Sequence, residues 1–151
     1  MTTNPAIRMR QAGPDDVSVL AELLNILDPP GTPLMEAEAG RALLARIARY
    51  PDFQVWLAEH GERAVGTYSL LIMDNLCHCG TPSAIVESVA VSVNSRGLGV
   101  GRAMMEHARS EARARGCYKL VLSSNEMRTD AHAFYDHLGF RRHGFSFRVD
   151  P

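Results

Sequence analysis

The segment Val89-Ala90-Val91-Ser92-Val93-Asn94-Ser95-Arg96-Gly97-Leu98-Gly99-Val100-Gly101-Arg102 constrains this chain more than any other. A strand-like alternation of valines runs into a turn bare of side chains, and the turn runs into a helical pattern. Glycines at 97, 99 and 101 remove β-carbons, so backbone N–H groups can converge on one point, and the helix behind them aims its positive end at the same point. Such a turn suits a pyrophosphate, with Arg96 and Arg102 as flanking cations. Two cradles are excluded by spacing. A Walker loop ends in Gly-Lys-Ser/Thr, whereas Gly101 is followed by Arg102 and Ala103. A dinucleotide fingerprint reads Gly-x-Gly-x-x-Gly with an acid about 20 residues on. Here the glycines are spaced Gly-x-Gly-x-Gly, and the next apolar run, Lys119-Leu120-Val121-Leu122-Ser123, carries no acid.

The remaining pattern, Arg-x-x-Gly-x-Gly at Arg96, Gly99 and Gly101, is similar to the coenzyme A signature of the GNAT N-acetyltransferase superfamily. The likeness extends further. Ile85-Val86-Glu87-Ser88-Val89-Ala90-Val91 resembles that superfamily's central strand, and Gly116-Cys117-Tyr118-Lys119-Leu120 resembles the start of its next one. Ala131-His132-Ala133-Phe134-Tyr135-Asp136-His137-Leu138-Gly139-Phe140 resembles its Ala-x-x-Phe-Tyr-x-x-x-Gly-Phe segment. The similarity covers roughly residues 7 to 149.

Composition sets outer bounds. A chain of 151 residues with 46% hydrophobic residues is expected to form one globular domain, residues 1–151, around a single core. The net charge of −1 supplies no global field for nucleic acid or anionic membrane, so attraction for an anionic ligand must be local. No apolar run approaches the ~20 residues of a membrane span. Met1-Thr2-Thr3-Asn4-Pro5 lacks the basic-then-apolar order of a signal peptide. Three cysteines form no disulfide framework, and a reducing, cytoplasmic setting is expected.

Periodicity predicts the element order. Ile7–Arg10 reads as a strand. A helix follows from Pro14-Asp15-Asp16, with Val17, Leu20, Leu24 and Leu27 inward, and ends at Pro29-Pro30-Gly31. A second helix is predicted over 34–50, with Leu43, Leu44, Ile47 and Tyr50 inward. Phe53, Val55 and Leu57 alternate, His60-Gly61-Glu62 turns, and 64–73 returns as a hairpin strand. The strand over 84–93, the cradle, and a helix to about 114 come next. That helix carries Met104, Met105, Ala108 and Ala112 on one side. Strand 119–123, a short helix from Thr129 and a last strand at Phe145, Phe147 and Val149 complete the chain. The expectation is an α/β (α+β) domain in which strand 84–93, its helix and strand 119–123 form a parallel crossover. The resemblance implies a GNAT fold: a mixed, strongly twisted sheet of six to seven strands, about four helices on both faces, and pantetheine between two splayed central strands.

Acetyl transfer from a thioester to an amine requires an amine stripped of its proton, a polarised carbonyl and a protonated leaving thiolate. Glu87 is the candidate base. In a regular strand it shares a face with Ile85, Val89 and Val91, which would desolvate its carboxylate and raise its pKa. The resemblance places the acid at Tyr135 and a cofactor contact at its neighbour Phe134. It also implies that main-chain groups of Val89, Ala90 and Val91 meet the pantetheine and the thioester carbonyl. The cradle residues Arg96, Gly97, Leu98, Gly99, Val100, Gly101 and Arg102 would take the pyrophosphate. Asn125 stands where the superfamily often places a coenzyme-binding asparagine, although the loop Glu126-Met127-Arg128-Thr129-Asp130 departs from the commonest short form. Cys77-His78-Cys79 lacks the spacing and second half of a zinc site, so no metal is expected. Cys117 has no assigned base, which favours direct attack in a ternary complex. The expected activity is acetyl-CoA-dependent N-acetylation of a small-molecule primary amine. Protein or peptide N-acetylation and a non-catalytic acyl-CoA sensor are the alternatives. Partners other than the amine are not expected, apart from a second copy of the chain, since similar proteins are commonly homodimers.

Overall fold

A computed structural model describes residues 6–151. The chain divides into two compact units, one running through Val121 and the other comprising Leu122–Pro151.

The first unit opens with β1 (Ile7–Gln11), a 3-10 turn over Pro14–Asp16 and α1 (Val17–Leu24), which a second 3-10 turn, Asn25–Leu27, extends. Then come α2 (Ala37–Ile47), β2 (Phe53–His60) and β3 (Arg63–Met73). A 3-10 turn at His78–Gly80 leads into β4 (Ser83–Val91), and α3 (Val100–Ala114) follows. β5 (Leu120–Leu122) begins here and ends on the first residue of the second unit. The strands lie in chain order, β1-β2-β3-β4-β5. The first four are antiparallel neighbours. β5 joins β4 in the parallel sense, with Tyr118 N–H donating to the Pro82 carbonyl and Ala84 N–H to that of Lys119. The long connection through α3 is what a parallel neighbour demands.

Each face of the sheet has its own helix. Leu57 of β2 packs with Leu20 and Leu23 of α1. Trp56 and Tyr68, paired across β2 and β3, point the other way and meet His107 of α3. The predicted inward residues of α3, Met104, Met105, Ala108 and Ala112, are all buried, together with Val100. In the two earlier helices the inward face shifts. Leu23 is buried in α1, whereas Leu27 is exposed because the α-helix has already ended at Leu24. α2 meets α1 at Gly40, where an added Cβ would collide with Val17 Cγ1. That close approach turns Leu43 outward, and Tyr50, three residues beyond the helix, is exposed as well.

An ion-pair network ties the sheet edge to α1. Glu59 is only 7% exposed. Its carboxylate accepts from Arg8 at 2.6 and 3.0 Å and from Arg10 at 2.6 Å. Arg10 also forks onto Asp16, with both contacts at 2.7 Å, and Asp16 in turn accepts the Gly13 N–H at 2.7 Å. Arg10, which bonds both acids, is the main reason that both carboxyls are held below their ordinary pKa values.

The second unit contains α4 (Thr129–His137) and an extended tail. The expected last strand is absent: no strand is assigned after β5, and Phe145, Phe147 and Val149 are 91%, 93% and 85% exposed. Alternation specifies a face, but a strand also needs a partner edge, and residues 140–151 have none here. The described residues therefore hold five strands and four α-helices, fewer strands than the six to seven expected.

Glu59→Gln is expected to lower stability by about 2 kcal/mol at neutral pH, below the roughly 3–5 kcal/mol of a fully buried pair because both arginines reach solvent. A folded carboxyl with a lowered pKa stabilises above its unfolded value, and that gain is lost as pH falls through the folded value. Urea unfolding at pH 7 and pH 3 should therefore show a smaller acid loss in Glu59→Gln than in the parent.

Candidate active site

The middle of β4 departs from a regular strand. Thr67 pairs with Ala90 and Ser69 with Glu87, so Tyr68 alone faces two residues, Ser88 and Val89. This is a β-bulge, and Ser88 carries the extra turn at φ +53°. A serine in the left-handed region is costly, because Cβ crowds the backbone there. The bulge also shifts the alternation. Glu87, opposite Ser69, and Ala90, opposite Thr67, both point to the α1 face, whereas Val91 opposite Gly66 points to α3. The expected common face of Glu87, Val89 and Val91 is thus broken.

β4 is an interior strand of the sheet, yet Glu87 and Ser88 are exposed in its middle. β5 also covers only the first part of this strand. It is three residues long and joins β4 near Ala84, so the rest of β4 has lost that neighbour. The desolvated carboxylate expected at 87 is instead open to solvent, on the face approached by α1 and the turn Asn25–Leu27. Asn25 Nδ2 donates to the Thr32 carbonyl at 3.0 Å, closing the loop that follows. A strand with an open edge and an unmatched bulge offers amide N–H and C=O groups to an extended, amide-bearing ligand, as a missing strand would.

The cradle follows directly. A 3-10 turn at Val93–Ser95 ends in buried Ser95, and Gly97 and Gly99 stand at φ +80° and +79°. Gly99 caps α3 in the left-handed conformation. A Cβ on either glycine would meet nothing within 4 Å, so space is open above the loop and conformation is what requires glycine. The first helical bond to Gly99 comes from Ala103 N–H at 3.0 Å, so the amides of Val100, Gly101 and Arg102 precede the ladder. Arg96 is exposed. Arg102 lies 3.7 Å from Glu106 in an exposed pair. Such a loop fits a diphosphate bound by backbone amides with cations at its rim. Gly66 sets the height of the cradle. A Cβ there would lie 2.9 Å from Val100 Cγ1, 3.0 Å from Met104 Sδ and 3.2 Å from the Ala90 carbonyl.

Tyr135, Phe134 and Asn125 belong to the second unit. Tyr135 is half-buried on α4, edge-on to Phe134 at 5.1 Å and Phe140 at 5.6 Å. Burial pushes its hydroxyl pKa up, against the pull of Arg128. The Asn125 side-chain carbonyl accepts the Met127 N–H at 2.9 Å, which orients its amide nitrogen away from that N–H and leaves it as a donor for another partner. In the first unit, Cys77 and Cys79 are free and exposed, and the His78 ring lies 4.0 Å from the Tyr118 ring. Among the described residues no group of three or more His, Cys, Asp or Glu is gathered as a metal site.

A family model described as the Acetyltransferase (GNAT) family matches residues 20–140, crossing the boundary between the two units. The chain belongs to the GNAT family. Acetyl-CoA is the typical cosubstrate of this family, and curated relatives of this chain are named as N-acetyltransferases. The chain is 31% identical over 150 residues to glucosamine 6-phosphate N-acetyltransferase of Trypanosoma brucei brucei, covering 99% of each. It is 30% identical over 144 residues to aminoalkylphosphonate N-acetyltransferase of Salmonella typhimurium, covering 95% of this chain and 90% of that one. The crystal structure of a Trypanosoma brucei acetyltransferase superposes with TM-score 0.82 at 30% identity, covering 97% of this chain and 100% of that one.

Two residues that shape this region of the sheet carry little sequence signal. Ser88 is an ordinary strand residue until the register is known, and Gly66 marks a close approach only once α3 is seen above it. A small residue inside a predicted strand was the one available hint. Ser88→Gly is expected to raise stability by about 0.5–1 kcal/mol by relieving the left-handed backbone. Gly66→Ala should lower it by about 1–3 kcal/mol through overpacking against Val100 and Met104. Paired thermal melts of the two variants check both signs.

Proposed function

We propose that this chain transfers an acetyl group from acetyl-CoA to the primary amine of a small molecule that also bears a phosphorus oxyanion. The observation that carries the reading is the bulged, half-open β4 running straight into a helix N-terminus with unladdered amides. One end suits the pantetheine arm and the other its pyrophosphate. The acceptor class rests on the two curated relatives, both named for amines with a phosphate or phosphonate group. Residues 1–151 act in this reading as one catalytic domain.

In this mechanism the neutral amine attacks the thioester carbonyl carbon in a ternary complex. The C–N bond forms as the carbonyl electrons move to oxygen, and the C–S bond breaks as the carbonyl re-forms. Glu87 accepts the proton lost by the amine, directly or through water, and its exposure on the α1 face leaves it within reach of a soluble acceptor. The bulge amide of Val89 or Ala90 stabilises the carbonyl oxygen as charge develops on it. Val91 pairs with a pantetheine amide through its main chain. Residues 96–102 hold the pyrophosphate, Phe134 and the Asn125 amide nitrogen contact the coenzyme, and Tyr135 O–H protonates the departing thiolate. Burial keeps Tyr135 protonated above the ordinary value of 10.0, as an acid must be. A covalent acetyl-cysteine route is disfavoured, because burial raises the Cys117 thiol above its ordinary value and leaves little thiolate. The setting is cytoplasmic and the assembly a homodimer in this reading.

Coenzyme A release from acetyl-CoA is the test, followed across phosphorylated amino sugars, aminophosphonates, their phosphorus-free counterparts, polyamines and peptides. Release should depend on an amine and favour those with a phosphorus oxyanion. Tyr135→Phe should lower turnover about 10²-fold or more with coenzyme affinity nearly unchanged, and the parent should hold its rate without a Tyr135 ionisation limb up to pH 10. Preference for peptides would sink the acceptor assignment. Tight acetyl-CoA binding with no release for any amine would favour a sensor.

A further inference from the structure

Tyr68 has the largest fully buried side chain in the described protein, at 0% exposure, and the reaction outlined above does not use it. Its position is particular. It is the single β3 residue opposite the bulge, so its backbone lies beside Ser88 and Val89. Its side chain leaves the other way, toward α3, where the hydroxyl and His107 Nδ1 are 2.7 Å apart. His107 lies about two turns beyond the cradle residue Val100. The Trp56 ring, on the strand beyond, closes over the imidazole edge-on at 4.4 Å. One hydrogen bond therefore links the β3 residue that faces the bulge to the helix that follows the glycine-rich cradle.

The surroundings favour the neutral form of both partners. Burial holds the imidazole below its ordinary pKa and pushes the phenol far above its own, and Glu111, one turn further along α3, acts on both. The bond is part-buried, and it is directional where the surrounding contacts are not. Gly66 against Val100 and Met104 fixes how closely α3 approaches the sheet, but van der Waals contact alone permits sliding along it. A phenol-to-imidazole bond sets the position along that direction.

We propose that Tyr68 and His107 are a positioning pair for acetyl-CoA, setting the cradle amides of α3 at a fixed distance from the bulge of β4. The idea rests on the functional reading above. It predicts that a group outside the coenzyme site controls coenzyme affinity, because pyrophosphate and pantetheine must be engaged by two elements at once.

The test uses the full chain with Tyr68→Phe, which keeps the ring, His107→Gln, which keeps a hydrogen-bonding side chain, and Leu20→Ala as a core-destabilised control on the other face. Coenzyme A binding by calorimetry and hydrogen exchange of the ligand-free protein at the hydrogen-bonded α3 amides from Ala103 to Ala108 are measured for each. Tyr68→Phe should weaken binding about three- to tenfold, the scale of one buried hydrogen bond, and speed exchange at those amides. His107→Gln should recover part of both. Leu20→Ala should lower the melting temperature at least as far with the affinity unchanged. Parental affinity and exchange in Tyr68→Phe would overturn the proposal, as would an affinity loss in Leu20→Ala equal to that in Tyr68→Phe. A parent that binds no coenzyme A would defeat the functional reading instead, and exchange would still decide whether the pair positions α3.

Discussion

One extra residue in β4 governs this molecule. Ser88 is forced into a left-handed conformation so that two residues of β4 can face the single Tyr68 of β3. The insertion moves Ala90 onto the face of Glu87 and sends Val91 to the other side. It coincides with the point at which β5 no longer accompanies β4, so backbone groups and a carboxylate in the middle of a sheet become accessible. A regular strand here would leave Ala90 on the α3 face and present no unmatched amide. The strain at Ser88 is tolerated because β3 holds the strand on both sides of it.

The opened strand would be of little use without a second element at a set distance. α3 supplies it, and the sequence of contacts along β3 shows how it is seated. Gly66 admits Val100 and Met104 to van der Waals range, and two residues later Tyr68 reaches His107. Close approach comes from the absence of a side chain, and registration from the presence of one. The acidic pair Glu59 and Asp16, clamped by Arg10, performs a comparable task at the far edge, joining β1 and β2 to the turn before α1. Specific polar bonds thus appear where elements must be placed rather than merely packed.

Legibility in the sequence varied with the kind of signal. The cradle was readable because glycine spacing encodes backbone conformation directly, and Gly97 and Gly99 adopt positive φ. The buried stripe of α3 was readable because its period is local. Leu43 misled because Gly40, not a large side chain, makes the contact between α2 and α1, and Tyr50 because the helix ends at Ile47. Phe145, Phe147 and Val149 misled because alternation names a face without naming a partner. Glu87 was placed on a strand correctly, but its surroundings depend on a register that no single strand contains.

The sequence by itself determined the order of elements as far as α4, the glycine-rich turn and the family resemblance, since all three rest on residue types at short spacing. Tertiary structure alone decided which strand carries the bulge, where β5 stops, and which side chains hold α3 at its height. Those features arise from pairings between residues 67 and 90, 66 and 100, and 68 and 107, and pairing across the chain is a property of packing rather than of local sequence.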